Sequence, residues 1–335
     1  MTAFIHIDRT QKHNRSFFGW ALCTFVALFV LVVTNPAQQP DEVIKVDTEL
    51  VAFEVSVTDK NGRPVRNLTA NDFRVFEDGV ERKPDFFQPI KKEEFGRPMS
   101  IVFALDVSGS MTAQELQKLR SALQSFVNRL ADYNSYFALT TFAMEVKTLQ
   151  SFTNRREKLE KSFDKLNRDQ DGLSTHAYDA VDDAIRMLLK KSPKFSGNRL
   201  TKRAVIVITD GFPVGDVVSP ETVIERANAV ETTVYAVILP SFSRLQPSKK
   251  PLLTPLEASG LIERTGGRSF YATDSSFDPL FQALAEEITA SYAIAFYPDE
   301  EKRTDGKLHE VRIESRKGLV VKQNRPGYKQ TIETK

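Results

Sequence analysis

Two acids and three hydroxyls stand where oxygen side chains could converge on a cation. They are Asp106, Ser108 and Ser110 in the run DVSGS, Thr175 in GLST, and Asp210 in ITDG. An ionised carboxylate with hydroxyl oxygens suits a hard divalent ion, Mg²⁺ or Mn²⁺. Two charges among these donors make a set of low charge, with room for water or for an acid brought by another molecule. Taken singly, Asp and Ser are also common turn formers and helix caps.

The elements around these residues give the combination its weight. Residues 99–105 (MSIVFAL) read as a buried strand that runs into Asp106, and residues 201–209 (TKRAVIVIT) as another that runs into Asp210. In an open α/β sheet the turn after such a strand lies at the carboxyl edge, where ligands bind. Thr175 precedes a helical stretch that begins near Tyr178, so it sits on a loop of the same kind.

With these motifs in order, the chain resembles a von Willebrand factor type A domain over residues 97–290. That family's metal-ion-dependent adhesion site uses a DxSxS loop, a distant Thr and a later Asp after a strand. The resemblance implies a metal set of Asp106, Ser108, Ser110, Thr175 and Asp210 that engages an Asp or Glu of a partner protein. It implies direct ligation by the two serines, with the acids acting partly through water and Thr175 changing its role when ligand binds. The flanks resemble the VWFA-related proteins of acidobacterial type, through VTDKNGRPV at residues 57–65 and DFRVFEDG at residues 72–79. His176, beside the threonine, departs from the small or apolar residue of many relatives and is expected to affect the rim.

Strands and helices alternate through this region. Thr112 and Glu115 form a capping-box pattern opening a helix to about residue 131, and Ser219-Pro220 opens another. Residues 136–142 and 146–152 read as an antiparallel edge pair, and residues 155–166 and 177–191 as helices. Residues 204–209 and 233–239 are central strands, followed by a short strand at 268–272 and a helix at 279–290. The expected fold class is α/β, a Rossmann-like doubly wound, mostly parallel sheet. Residues 43–95 alternate in the β manner with turn signals at Asn61-Gly62 and Asp78-Gly79, and residues 291–330 are β again. By the resemblance, these two flanks pack together as one small accessory β unit.

The N-terminus has a different character. Residues 17–34 (FFGWALCTFVALFVLVVT) carry no charge, with Arg9, Lys12 and Arg15 before them and Asp41 and Glu42 after. As a helix this run spans about 27 Å, near the hydrocarbon thickness of a bilayer. The basic flank should stay in the cytoplasm. The expected layout is a cytoplasmic tail at 1–16, a single-pass anchor at 17–34, a linker at 35–42 and the main domain outside the cell membrane. Secretion after signal cleavage near Ala37 is the alternative, weakened by Asn35 at the minus-three position. The one cysteine, Cys23, lies inside the run, so the exported part has no disulfide.

A formal charge of +2 and 27% charged residues give no argument for nucleic acid. No Walker A loop and no G-x-S-x-G elbow is present, and the D-x-D of aspartyl phosphatases has Ser108 in place of its second acid. His176 and His309 are the only histidines beyond the N-terminal segment, and no His/Cys cluster suggests zinc. His309 reads as structural or solvent-facing. The expected protein is a non-enzymatic, metal-dependent adhesion module. A Mg²⁺-dependent phosphotransferase or hydrolase, and a structural envelope module with a non-functional metal site, stay open beside it. The proline-bearing stretch 239–255 reads either as a connector or as a partner-selecting rim loop carrying Arg244, Lys249 and Lys250.

Overall fold

A computed structural model describes residues 50–93, 96–109, 112–167, 174–239, 253–272 and 277–329, all within one unit that spans Val46–Lys335. The expected tail, anchor and linker, together with Ser110 and residues 240–252, lie outside the described residues. Among the described residues no helix is long and apolar enough to cross a membrane.

In chain order the strands begin with β1 (Val51–Thr58), β2 (Phe73–Glu77), β3 (Val80–Arg82), β4 (Phe86–Pro89) and β5 (Met99–Asp106). Next come β6 (Ser135–Phe142), β7 (Val146–Thr153), β8 (Phe195–Ser196), β9 (Arg199–Leu200), β10 (Lys202–Thr209), β11 (Thr232–Ile238) and β12 (Ser269–Tyr271). The tail supplies β13 (Ser291–Phe296), β14 (His309–Ser315), β15 (Val320–Gln323) and β16 (Gly327–Tyr328). The helices are α1 (Ala113–Arg129), α2 (Arg156–Asp164), α3 (Ala177–Lys191), α4 (Pro220–Ala229), α5 (Pro255–Ala258), α6 (Leu261–Arg264), α7 (Asp278–Thr289) and α8 (Glu300–Thr304).

The central sheet has the order β12-β11-β10-β5-β6-β7, parallel except for the β6–β7 hairpin. Both faces are covered, which is why β5 and β10 are buried at every position and read as unbroken apolar runs. Successive side chains still alternate between the faces. Ile101, Phe103 and Leu105 join one core with Leu119, Leu123 and Phe126 of α1 and Phe281 of α7. Val102 and Ala104 join the other with Ala177, Ala180 and Ala184 of α3. The first face is aromatic: Phe103 meets Phe126 edge-on at 5.6 Å and stacks on Phe137 at 6.0 Å. The second uses small residues, so α3 packs close to the sheet that carries the site.

The capping box is formed at α1, where Glu115 N donates to Thr112 Oγ1 at 3.2 Å and Thr112 N to Glu115 Oε2 at 2.7 Å. Ser219 caps α4 with Pro220 in its first turn.

The flanks form two further antiparallel sheets, β15-β1-β13-β4 and β16-β14-β2-β3. They enclose a shared core that includes Phe53, Phe73, Val75, Tyr292, Ile294, Phe296, Val311 and Ile313, so the unit is a sandwich. β13 starts two residues after α7 ends and pairs with β1, which puts a tail strand in the middle of an N-terminal sheet. The outer face of β1 and β13 receives Phe195 and Leu200 of the β8–β9 hairpin. Beside this contact lies a buried ion cluster. Glu54 of β1 accepts from Arg97 Nη2 at 2.6 Å and from Lys202 Nζ at 2.7 Å, and Lys202 also donates to Ser291 Oγ at 2.9 Å.

Candidate metal centre

Asp106, the last residue of β5, is fully buried, and its two oxygens are claimed by different elements. Oδ1 accepts from Ser108 N at 2.9 Å and from Ser108 Oγ at 2.6 Å, which folds the turn back over the strand end. Oδ2 accepts from Thr209 Oγ1 at 2.8 Å, which ties β5 to the end of β10. Thr175 Oγ1 then donates to Ser108 Oγ at 3.4 Å, bringing in the loop before α3. Three separate chain segments therefore meet at one strand end, as the parallel pairing of β5 with β10 requires.

Burial pushes the Asp106 carboxyl up to about 6, the neighbouring Asp210 charge pushes the same way, and the hydroxyl and amide bonds only partly offset this. Asp210 follows Thr209 and accepts from Phe212 N at 3.2 Å. The described hydrogen-bond partners of Asp106 are hydroxyls and one amide, with a second acid close by. Such an oxygen set, with two acids among hydroxyls and partly withdrawn from water, fits a hard divalent cation. Among the described residues no three His, Cys, Asp or Glu side chains are placed together to hold a metal.

The rest of the edge is held by residues that sequence reasoning passed over. Thr209 is the only hydroxyl in the stretch AVIVIT, and its position just before Asp210 was the available signal. Gly211 turns the chain with φ +83°, and a Cβ there would come within 2.6 Å of the Thr254 side chain. Thr175 and Val214 exchange backbone hydrogen bonds, Thr175 N to Val214 O at 3.1 Å and Val214 N to Thr175 O at 2.9 Å. Asp179 fixes the same loop by accepting from Val217 N at 3.1 Å and Val218 N at 2.8 Å. Asp216 returns the contact by accepting from Asp179 N at 3.0 Å, capping α3 from a distance where His176 makes no cap bond.

His176, expected to affect the rim, lies against the loop that carries Gly215. Its Nδ1 lies 3.0 Å from Asp179 Oδ2, and its Nε2 would be 2.8 Å from a Cβ on Gly215. Its backbone N–H donates to Ala143 O at 3.2 Å. The ring is wedged between α3 and the 214–218 loop, where it positions backbone. Of the expected connector only Leu239 and residues 253–255 are described. Thr254 caps α5 by accepting from Glu257 N at 3.4 Å, and Leu256 N donates to Gly211 O at 3.1 Å.

Residues 100–300 match the von Willebrand factor type A domain, and the chain belongs to that family. The match takes in most of the central sheet, its helices and the positions of Asp106, Thr175 and Asp210. Similar solved structures include an aerotolerance-related membrane protein from Bacteroides fragilis, at 18% identity, covering 57% of this chain and 98% of that one with a TM-score of 0.42. Proximal thread matrix protein 1 from the mussel byssus, with a zinc-occupied MIDAS motif, is 16% identical over 60% of this chain and 48% of its own, at a TM-score of 0.47. The vWF domain of the type V pili tip protein Mfa5 from Porphyromonas gingivalis is 12% identical over 57% and 95%, at 0.43. None of the curated proteins matches the chain.

Proposed function

We propose that this protein is an exported, membrane-anchored binding module that takes a carboxylate of a partner protein through a divalent cation, Mg²⁺ or Mn²⁺. Asp106, Ser108, Ser110, Thr175 and Asp210 would hold the ion. When bound, it would supply a Lewis-acidic coordination position for the incoming Asp or Glu. The supporting observation is the hydrogen-bonded chain Thr209–Asp106–Ser108–Thr175, which gathers the oxygens of three loops at one strand end. Within the proposal, residues 97–290 are the A-type domain, and residues 43–95 with 291–330 are one accessory domain of the acidobacterial type. Residues 17–34 are the anchor, with 1–16 inside, 35–42 a linker, and the folded part outside the cell. A binding role is preferred to catalysis because the one histidine near the site is engaged with Asp179 and the 214–218 loop.

The test is calorimetric titration of the full-length protein in detergent with Mg²⁺ and with Mn²⁺. A Kd on the order of 10⁻⁴ to 10⁻³ M is expected for so weakly charged a set. Asp106→Ala should abolish binding while circular dichroism stays unchanged. Unaltered Mg²⁺ affinity in that variant would remove Asp106 from the site and the proposal with it.

A further inference from the structure

The loops around the candidate metal centre display apolar side chains that the fold does not use. Among the described residues ten large hydrophobic side chains are exposed, and five of them lie on loops or strand ends at this one edge of the central sheet. They are Met144 at 56%, Val214 at 53%, Val217 at 88%, Leu253 at 69% and Tyr271 at 41%. A scattered exposed Val or Leu needs no explanation, whereas a group on one edge does.

Each is attached to the site's own scaffold. Val214 exchanges two backbone hydrogen bonds with Thr175, one of the candidate ligands. Val217 is presented by a backbone that the Asp179 carboxylate grips through two amides, so its exposure is built into a pinned loop. Met144 follows Ala143, whose carbonyl accepts from His176 N. Leu253 precedes Thr254, the side chain packed over Gly211. Tyr271 ends β12 beside Ile238 of β11, and its hydroxyl donates to Glu257 of α5.

Among the described residues of these loops the charged side chains include four acids, Asp106, Asp179, Asp210 and Asp216, while the sequence before Leu253 carries Arg244, Lys249 and Lys250. Burial raises the pKa of Asp216, and the Asp179 charge adds to this while the Asp179 amide works against it. These four acids disfavour an acidic partner unless a cation intervenes, and among the described residues the large side chains exposed around them are apolar.

We infer that the partner is an extended protein segment carrying one Asp or Glu flanked within two residues by large aliphatic side chains. The acid supplies the metal ligand, and the aliphatic neighbours cover the rim formed by Met144, Val214 and Val217. This rests on the metal-dependent reading above and adds to it the chemistry that selects among acidic partners. A flank rich in Lys or Arg would instead seek the acids and compete with the metal.

The experiment uses full-length protein in detergent with 10 mM Mg²⁺ and three synthetic heptapeptides, their affinities read by fluorescence anisotropy. One has a central Asp between leucines, one a central Asp between serines, and one a central Asn between leucines. The Leu-flanked Asp peptide is expected to bind about tenfold more tightly than the Ser-flanked one, about 1.4 kcal/mol, and to be released by EDTA. Met144→Ser combined with Val217→Ser should reduce that ratio towards one without changing calorimetric Mg²⁺ affinity. Chelator-sensitive binding with no preference for leucine would overturn the rim inference and leave the metal reading standing. Binding of the leucine peptides that ignores both EDTA and the Asp-to-Asn change would overturn the metal-dependent reading and this inference together. Concentration-dependent self-association that disappears in the Met144/Val217 variant would assign the rim to a second copy of the chain and overturn the peptide partner.

Discussion

Replacing Glu54 by Gln should separate the accessory sandwich from the sheet that carries the site. Glu54 accepts from Arg97 Nη1 at 3.2 Å, Arg97 Nη2 at 2.6 Å and Lys202 Nζ at 2.7 Å, with its side chain 12% exposed. Burial opposes its charge, but Arg97 and Lys202 outweigh burial and bring the pKa down from 4.5 to about 2. At about 1.36 kcal/mol per tenfold, that fall is worth roughly 3 kcal/mol on the carboxylate's side. Lys202 moves against it: burial lowers its pKa despite Glu54, so the net worth of the cluster is smaller than the carboxylate alone suggests. Removing only the acid leaves two buried cations facing each other, which costs about 3–5 kcal/mol in comparable buried pairs.

Glu54→Gln is therefore expected to lose about 3 kcal/mol in urea unfolding at pH 7. Glu54→Gln with Lys202→Met should recover at least about 1 kcal/mol of that loss, because one uncompensated charge is gone. The sign of the pH dependence follows from the depressed pKa. The contribution is present above 4.5 and lost as pH falls towards about 2, so the gap between wild type and Glu54→Gln should narrow over that window. A loss below about 1 kcal/mol, or a double variant equal to the sum of its singles, would refute the reasoning.

His309 should show the opposite sign. Burial works against its charge, but Asp78 at 2.9 Å and Asp305 at 3.1 Å bind its two ring nitrogens and raise the pKa above 6.5. Its stabilisation is full below 6.5 and lost as pH rises through the folded value. The Tm advantage over His309→Gln should thus shrink from pH 6 to pH 9, and an advantage that grows would contradict the clamp. For topology, protease added outside the inner membrane should digest residues beyond 40 and spare residues 1–16. Full-length protein recovered soluble from the cytosol would refute the anchor.

What was legible in the chain was what short segments carry by themselves. The apolar runs of β5 and β10, the Thr112–Glu115 box and the Ser219-Pro220 start need only their neighbours to be recognised, and each stands where the sequence placed it. What escaped depends on contacts between distant segments. β4 reads Phe-Phe-Gln-Pro, with a proline suited to an edge, and becomes a strand only by pairing with β13 some two hundred residues later. The β8–β9 hairpin likewise exists to cover Ala52, Ala293 and Ala295 of another sheet. At the site, Thr209 and Asp216 act through a carboxylate and an amide that lie far away in sequence, and only Thr209 carries a local signal, its place just before Asp210. Of the two readings the sequence leaves for His309, structural or solvent-facing, the structure shows the first. It is buried, and its two carboxylates come from the β2–β3 turn and from the segment before β14.

The ion cluster and the candidate metal edge occupy opposite ends of the same two strands. Arg97 lies just before β5 and Lys202 opens β10, while Asp106 closes β5 and Thr209 closes β10. Eight residues at about 3.3 Å each put the two ends some 25 Å apart. The sandwich is thus tied to the amino edge of the central sheet through Glu54 and leaves the carboxyl edge uncovered. That separation has a physical consequence for binding. Attachment of the sandwich needs burial, paired charges and a dry interface, whereas a site for a partner acid needs loops that stay open with their oxygens unshielded. Anchoring one end of β5 and β10 keeps the strands in register, so Asp106 and Thr209 remain in contact without the sandwich covering the loops they organise. The exposed Val214 and Val217 are then the expected result of leaving that edge free: apolar groups held in the open by a scaffold whose stability is secured at its other end.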